Sequence, residues 1–74
     1  MFTVYGKPGC PYCTEAIKLL EDSSYSYRYV DISEDKGARE YVVSLGVKTV
    51  PQVFHSDNHV GGYDELSQYM MFDD

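Results

Sequence analysis

The chain opens on Met1 to Tyr5, MFTVY, a β-branched and aromatic run broken off by Gly6 and Pro8, which is the pattern of a buried strand. From Pro11 the apolar period changes. Cys13, Ala16, Ile17 and Leu20 recur three and four residues apart and so share one face of a helix over about residues 11–22. Tyr25 to Ile32, YSYRYVDI, alternates and then turns apolar, predicting a second strand that ends at Asp31 or Ile32. Ser33 is the expected cap of a second helix, whose stripe is Ala38, Tyr41, Val42 and Leu45 and which Gly46 closes.

The remainder reads differently. QVFH, the turn residues Ser56, Asp57 and Asn58, and then HVGG predict a short hairpin. After Gly61 and Gly62, the residues Tyr63, Leu66 and Met70 fall on one face of a short third helix ending within a few residues of Phe72. Asp64 and Glu65 stand in its first turn, where negative charge is favoured. The expected order is βαβαββα, an α/β fold with a four-stranded mixed sheet flanked by three helices. Its first two strands pair in parallel through a crossover helix, and the hairpin adds the antiparallel part. No linker, repeat or low-complexity stretch interrupts residues 1–74, so one domain is expected, near the small end of what folds without metal or multiple cross-links.

Composition narrows the function classes. Apolar residues make up 43% and charged residues 24%, as in a globular rather than a disordered chain. Twelve acidic residues against six basic ones give a net charge of −6, a field that repels polyanions, so no nucleic-acid partner is expected. The acids are scattered, which reads as solubility. No run approaches the roughly 18 apolar residues of a membrane span, and no secretory-signal pattern is present, so no membrane partner and a cytoplasmic location are expected. Tyr5, Tyr27, Tyr29, Tyr41 and Tyr69 sit at spacings expected of core or rim packing.

Against this background the chemistry concentrates in GKPGCPYCTEA, residues 6–16. A disulfide over a two-residue gap closes almost no loop and stabilises little, so a purely structural clasp is disfavoured. Starting the helix at Pro11 makes Cys10 its cap and puts Cys13 one turn inside. The helix N-terminal N–H groups then point at Cys10 and favour a sulfur carrying negative charge. An ordinary thiol, with a pKa near 8.5, is only about 3% ionised at pH 7. Lowering that value needs more than the helix field. The backbone N–H groups of Tyr12 and Cys13, the Cys13 thiol and the positive charge of Lys7 are the expected contributors, with Glu15 opposing them. Cys10 is therefore the expected nucleophile and Cys13 the resolving thiol.

Cys-Pro-Tyr-Cys after a first strand, Thr-Val-Pro at Thr49 to Pro51 and Gly-Gly-Tyr-Asp at Gly61 to Asp64 together resemble a dithiol glutaredoxin of the thioredoxin superfamily, over nearly the whole chain. The resemblance implies a thioredoxin-like fold and an enzyme that reduces protein disulfides and glutathione mixed disulfides. It also implies glutathione as co-substrate, no bound cofactor and no metal. It implies a cis peptide bond before Pro51, leaving the Val50 N–H and C=O to pair with glutathione as an added strand would. Thr49 belongs to the same segment. The first amides of the third helix, following Gly62 at Tyr63 and Asp64, would bind the γ-glutamyl carboxylate, and the Asp64 side chain its ammonium. Lys7 would meet the glycyl carboxylate, and Tyr12 would pack beside the sulfur. Lys48 has no assigned role. Glutaredoxin potentials of about −200 to −230 mV would let a cytosolic glutathione pool keep the pair reduced.

Two rivals follow from the same residues. One is a redoxin recharged by thioredoxin reductase and serving ribonucleotide reductase, which the run SEDKGAREYVVSLG resembles, whereas Gly61 to Asp64 speak for glutathione. The other is an iron–sulfur carrier ligated by Cys10 and glutathione in a dimer, against which Pro11 and Tyr12 count; a monomer is expected. His55 and His59 stand in H-x₃-H spacing, but a strand running on from Pro51 carries His55 some 13 Å from the cysteines, too far for one zinc. They are expected to be exposed residues flanking the turn.

Overall fold

The alternation in the first strand sorts its side chains between two faces. In the computed structural model, which describes residues 1–72, Phe2 and Val4 are fully buried on one face while Thr3 and Tyr5 turn to the other. The elements are β1 (Phe2–Gly6), α1 (Pro11–Asp22), β2 (Tyr27–Asp31), α2 (Lys36–Ser44), β3 (Gln52–His55), β4 (Asn58–Gly61) and α3 (Tyr63–Phe72). One sheet holds the strands in the order β2-β1-β3-β4, with β1 and β2 parallel and the β1–β3 and β3–β4 pairs antiparallel. The expected α/β order and mixed sheet are both present.

Phe2, Val4 and Val53 meet Ala16 and Leu20 of α1 and Leu66 of α3 in the main core. Burial of Cys13, Ala16 and Leu20 on one α1 face is what their spacing requires. Across the sheet, Tyr41 of α2 packs on Tyr5 and Phe54, with ring centroids 5.8 and 5.9 Å away. The two helices on the core side therefore fix the sheet, and α2 covers the other face.

Boundaries differ from expectation where hydrogen bonds redirect the chain. The first strand runs one residue further, to Gly6, because Gly6 pairs with Asp31 and its carbonyl accepts from Ile32 at 2.9 Å. The second begins at Tyr27 rather than Tyr25: the Tyr25 N–H is drawn back to the Leu20 carbonyl, 3.0 Å away, as the chain leaves α1. Ser33 is not the cap of α2. Asp35 is, its Oδ1 accepting from the Ala38 N–H at 2.9 Å, while the Ser33 N–H and hydroxyl both donate to Asp31 Oδ1. Gly46, at φ 79°, lies just past the end of that helix as expected.

The histidines are not the bare turn residues expected. His55 is half-buried, stacked on Phe2 at 4.3 Å, with Nδ1 2.7 Å from the Tyr69 hydroxyl. His59, though exposed, stacks on Phe54 at 4.6 Å and its Nε2 lies 2.8 Å from Gln52 Oε1. His59 pairs with Phe54 across the hairpin, and Phe54 and His55 are neighbours on β3, so the two imidazoles face opposite sides of the sheet.

Candidate functional site

Cys10 has the extended backbone of an N-cap, φ −107° and ψ 104°, and its carbonyl accepts from the Thr14 N–H at 3.2 Å. Pro11 at the first helical position supplies no N–H and a φ already suited to the helix. The Cys10 sulfur accepts from the Cys13 N–H at 3.2 Å. It thus sits where a serine hydroxyl or aspartate carboxylate sits in an ordinary cap, at the positive end of the helix. Of the two amides expected to face this sulfur, that of Cys13 reaches it; no hydrogen bond joins it to the Tyr12 amide.

Cys10 and Cys13 are joined as a disulfide. Their exposure is unequal, and that asymmetry has chemical consequences. Cys13 is 2% exposed, whereas Cys10 is half-buried and opens onto a cavity. A large reactant can therefore approach the Cys10 sulfur but not the Cys13 sulfur. Gly6 makes the buried seat possible, since a Cβ there would stand 3.0 Å from both the Cys13 sulfur and Cε1 of Tyr29. Burial, and secondarily the charge of Asp31, push the Tyr29 phenol above its ordinary value, so it remains neutral beside the pair at physiological pH.

Opposite the cysteines, the Val50–Pro51 peptide bond is cis, as the resemblance implied. The Val50 carbonyl oxygen lies 3.7 Å from the Cys10 sulfur. What holds this segment is a residue the sequence did not flag. Gln52, buried to 4% exposure, donates from Nε2 to the Thr49 carbonyl at 2.8 Å, and its Oε1 faces His59 Nε2. With Oε1 an acceptor, the Nε2 of His59 is the donor. A polar link through the Gln52 amide thus ties the Thr49–Val50–Pro51 segment to β4.

Two cavities meet at Thr49 and Val50. The first, about 470 Å³, contains Cys10 and gathers three cations, Lys7, Arg39 and Lys48, over a floor that includes Pro11, Val42 and Val47. The second, about 300 Å³, is lined by Tyr12, Pro51, Gly62, Tyr63, Asp64 and Glu65 as well as the shared pair. Every residue expected from the sequence to bind glutathione lines one or both cavities. The ring of Tyr12 stacks on Tyr63 at 5.8 Å and bridges α1 to the start of α3.

The start of α3 adds Glu65, which the sequence marked only as a favourable first-turn charge and not as a site residue. Leu66 N–H donates to the Gly62 carbonyl at 2.9 Å, which makes Gly62 the cap, and Glu65 Oε1 accepts from the Gly62 N–H at 2.7 Å. Gly61 has φ 123°, and a Cβ there would meet the Glu65 side chain at 2.8 Å, so both its conformation and its closeness to Glu65 demand glycine. Arg39, Lys48, Gln52 and Glu65 thus join the residues expected from the motifs. Charge is divided between the cavities, with cations in the first and two carboxylates beside a helix N-terminus in the second.

Comparison with known proteins places this geometry in a family. The Glutaredoxin family model matches residues 2–60. Glutaredoxin 1 of Salmonella typhimurium is 45% identical, over 93% of this chain and 90% of its own. The crystal structure of a buckwheat glutaredoxin–glutathione complex superposes with a TM-score of 0.84 at 26% identity, over 95% of this chain and 67% of that one. The glutaredoxin-like NrdH-redoxin of Escherichia coli shares the fold, with a TM-score of 0.81 over 90% of this chain and 91% of its own, at 19% identity.

Proposed function

The chain belongs to the glutaredoxin family, a thiol oxidoreductase with a Cys-x-x-Cys pair on a thioredoxin-like fold, and from that premise we propose that it reduces protein disulfides and glutathione mixed disulfides with glutathione as its reductant. The observation that supports glutathione most is the opposed charge of the two cavities on either side of Val50. Glutathione carries a lone carboxylate at its glycyl end and an ammonium with a carboxylate at its γ-glutamyl end. Laid across Val50 as an added strand, it presents the glycyl carboxylate to Lys7, Arg39 and Lys48. Its other end reaches Asp64, Glu65 and the first amides of α3, where the carboxylate meets N–H groups and the ammonium meets side-chain carboxylates. Its sulfur then lies against Cys10.

In the cycle, Cys10 thiolate attacks a substrate disulfide, forming a mixed disulfide and expelling one substrate thiolate. Cys13 thiolate then attacks the Cys10 sulfur, releasing the second substrate thiolate and leaving the Cys10–Cys13 disulfide. Two glutathiones restore both thiols and leave as glutathione disulfide. For a glutathionylated substrate, Cys10 takes the glutathionyl group and a second glutathione removes it without Cys13.

The test is the choice of electron source. NADPH with glutathione and glutathione reductase is expected to restore the free thiols of the oxidised protein, counted by a thiol reagent, while NADPH with thioredoxin reductase leaves the disulfide in place. Restoration by thioredoxin reductase alone, with none by glutathione, would overturn the glutathione reading.

A further inference from the structure

The first cavity does not end with the residues assigned to glutathione. It shares Arg39 and Val43 with a third recess of about 410 Å³ on the outer face of α2, lined also by Lys36, Glu40 and Ser44. Together they form a continuous surface running from Cys10 along α2. Four of the six basic residues of the chain, Lys7, Lys36, Arg39 and Lys48, line it, and among the described residues Glu40 is its one acidic lining residue, in a protein that has twelve acids. Between these charges Val43 lies 65% exposed. The rest of the chain is correspondingly more acidic.

Resting on the reading of Cys10 as the thiol that attacks protein disulfides, we propose that this surface docks an extended acidic segment adjoining the target cysteine of the protein substrate. Helix α2 spans nine residues, about 13.5 Å at 1.5 Å per residue, which matches roughly four residues of extended chain. Acidic side chains of such a segment face Lys36, Arg39 and Lys48, and an apolar residue between them covers Val43. A neutral or basic segment loses this attraction, so the surface selects among disulfide-bearing proteins by the charge beside the cysteine. Glutathione itself does not extend to Lys36, which separates protein selection from small-thiol binding.

The experiment uses the pre-reduced protein in single turnover. The substrates are ten-residue peptides carrying one cysteine as its mixed disulfide with 2-nitro-5-thiobenzoate. Attack by Cys10 on the peptide sulfur joins peptide to protein and expels the yellow thiolate, which reports the rate. A peptide with three glutamates near the cysteine is expected to react roughly tenfold faster at low ionic strength than its glutamine counterpart, the difference vanishing in high salt. Lys36→Glu is expected to lower the rate for the glutamate peptide by about threefold or more and to leave the rate with the glutathione mixed disulfide of the same dye unchanged. Lys36 opens α2, where a glutamate suits the helix N-terminus, so the variant is expected to fold. Equal rates for the two peptides overturn the proposal, as does a Lys36→Glu effect that is the same for peptide and glutathione substrates. No glutathione turnover is involved, so failure of the glutathione reading in its own assay leaves this readout intact.

Discussion

A Cys13→Ser protein is expected to keep removing glutathione from mixed disulfides, to within about threefold of the parent rate, and to lose reduction of protein disulfides by roughly a hundredfold or more. The expectation comes from the unequal burial of the two sulfurs. Cys13 is almost wholly enclosed, so the one sulfur it reaches readily is that of Cys10. Without its thiol, a protein substrate captured on Cys10 stays there as a mixed disulfide, because the second substrate sulfur cannot be expelled from within. A glutathionyl group on Cys10 faces the open cleft instead, where another glutathione displaces it. Trapped protein–substrate adduct on a non-reducing gel, together with turnover of a glutathionylated peptide, would establish the division. Loss of both activities would show that Cys13 serves Cys10 in some further way and that the proposed roles are wrong.

The second large effect concerns the packing that builds the site. Leu66→Ala removes a fully buried side chain from the contact of α3 with α1 and the sheet and is expected to cost about 2–5 kcal/mol. A domain of this length has only about 4–11 kcal/mol to lose, so the urea midpoint should fall by a large fraction of its value. The functional consequence is directional. Leu66 follows Tyr63, Asp64 and Glu65 by at most one turn, so loosening it displaces the second cavity while leaving Cys10 on α1. At a temperature where the variant remains folded, the glutathione concentration needed for half-maximal rate should rise, and the alkylation rate of Cys10 should stay close to that of the parent. A loss of less than about 1 kcal/mol would mean that the core tolerates the cavity and that α3 is held elsewhere.

How far the sequence carries follows from which interactions are local. The α1 start is legible because Cys10, Pro11 and Cys13 occupy consecutive cap positions, and their chemistry depends on one turn of backbone. Thr49 to Pro51 and Gly61 to Asp64 are legible as motifs, although bringing them beside Cys10 requires β3 to pair with β1, a strand order the hydrophobic pattern left open because it shows only that a hairpin joins the sheet. The α2 cap was misplaced because Ser33 and Asp35 are both good capping residues two apart; Asp31 claimed the Ser33 hydroxyl and left Asp35 to cap. Arg39 and Lys48 carried no local signal, since they meet only when α2 folds over the segment leading into β3. Gln52 and His59 are linked through a register that contains an irregularity at Val53 and Phe54, which counting along the strands does not reveal. Glu65 was accessible in principle: a glutamate three residues beyond the cap residue Gly62 is the spacing of a capping box, and its side chain completes that bond.

The central claim is that the Cys10 sulfur, held at the positive end of α1 against the Cys13 amide, loses its proton more readily than an ordinary thiol. It is tested most directly by reducing the protein and following thiolate absorbance near 240 nm against pH, with Cys13→Ser to assign the signal and Cys10→Ser as its blank. The account predicts a Cys10 transition at clearly lower pH than the free-thiol value of about 8.5, so that the thiolate predominates at neutrality. A transition at or above that value would contradict it.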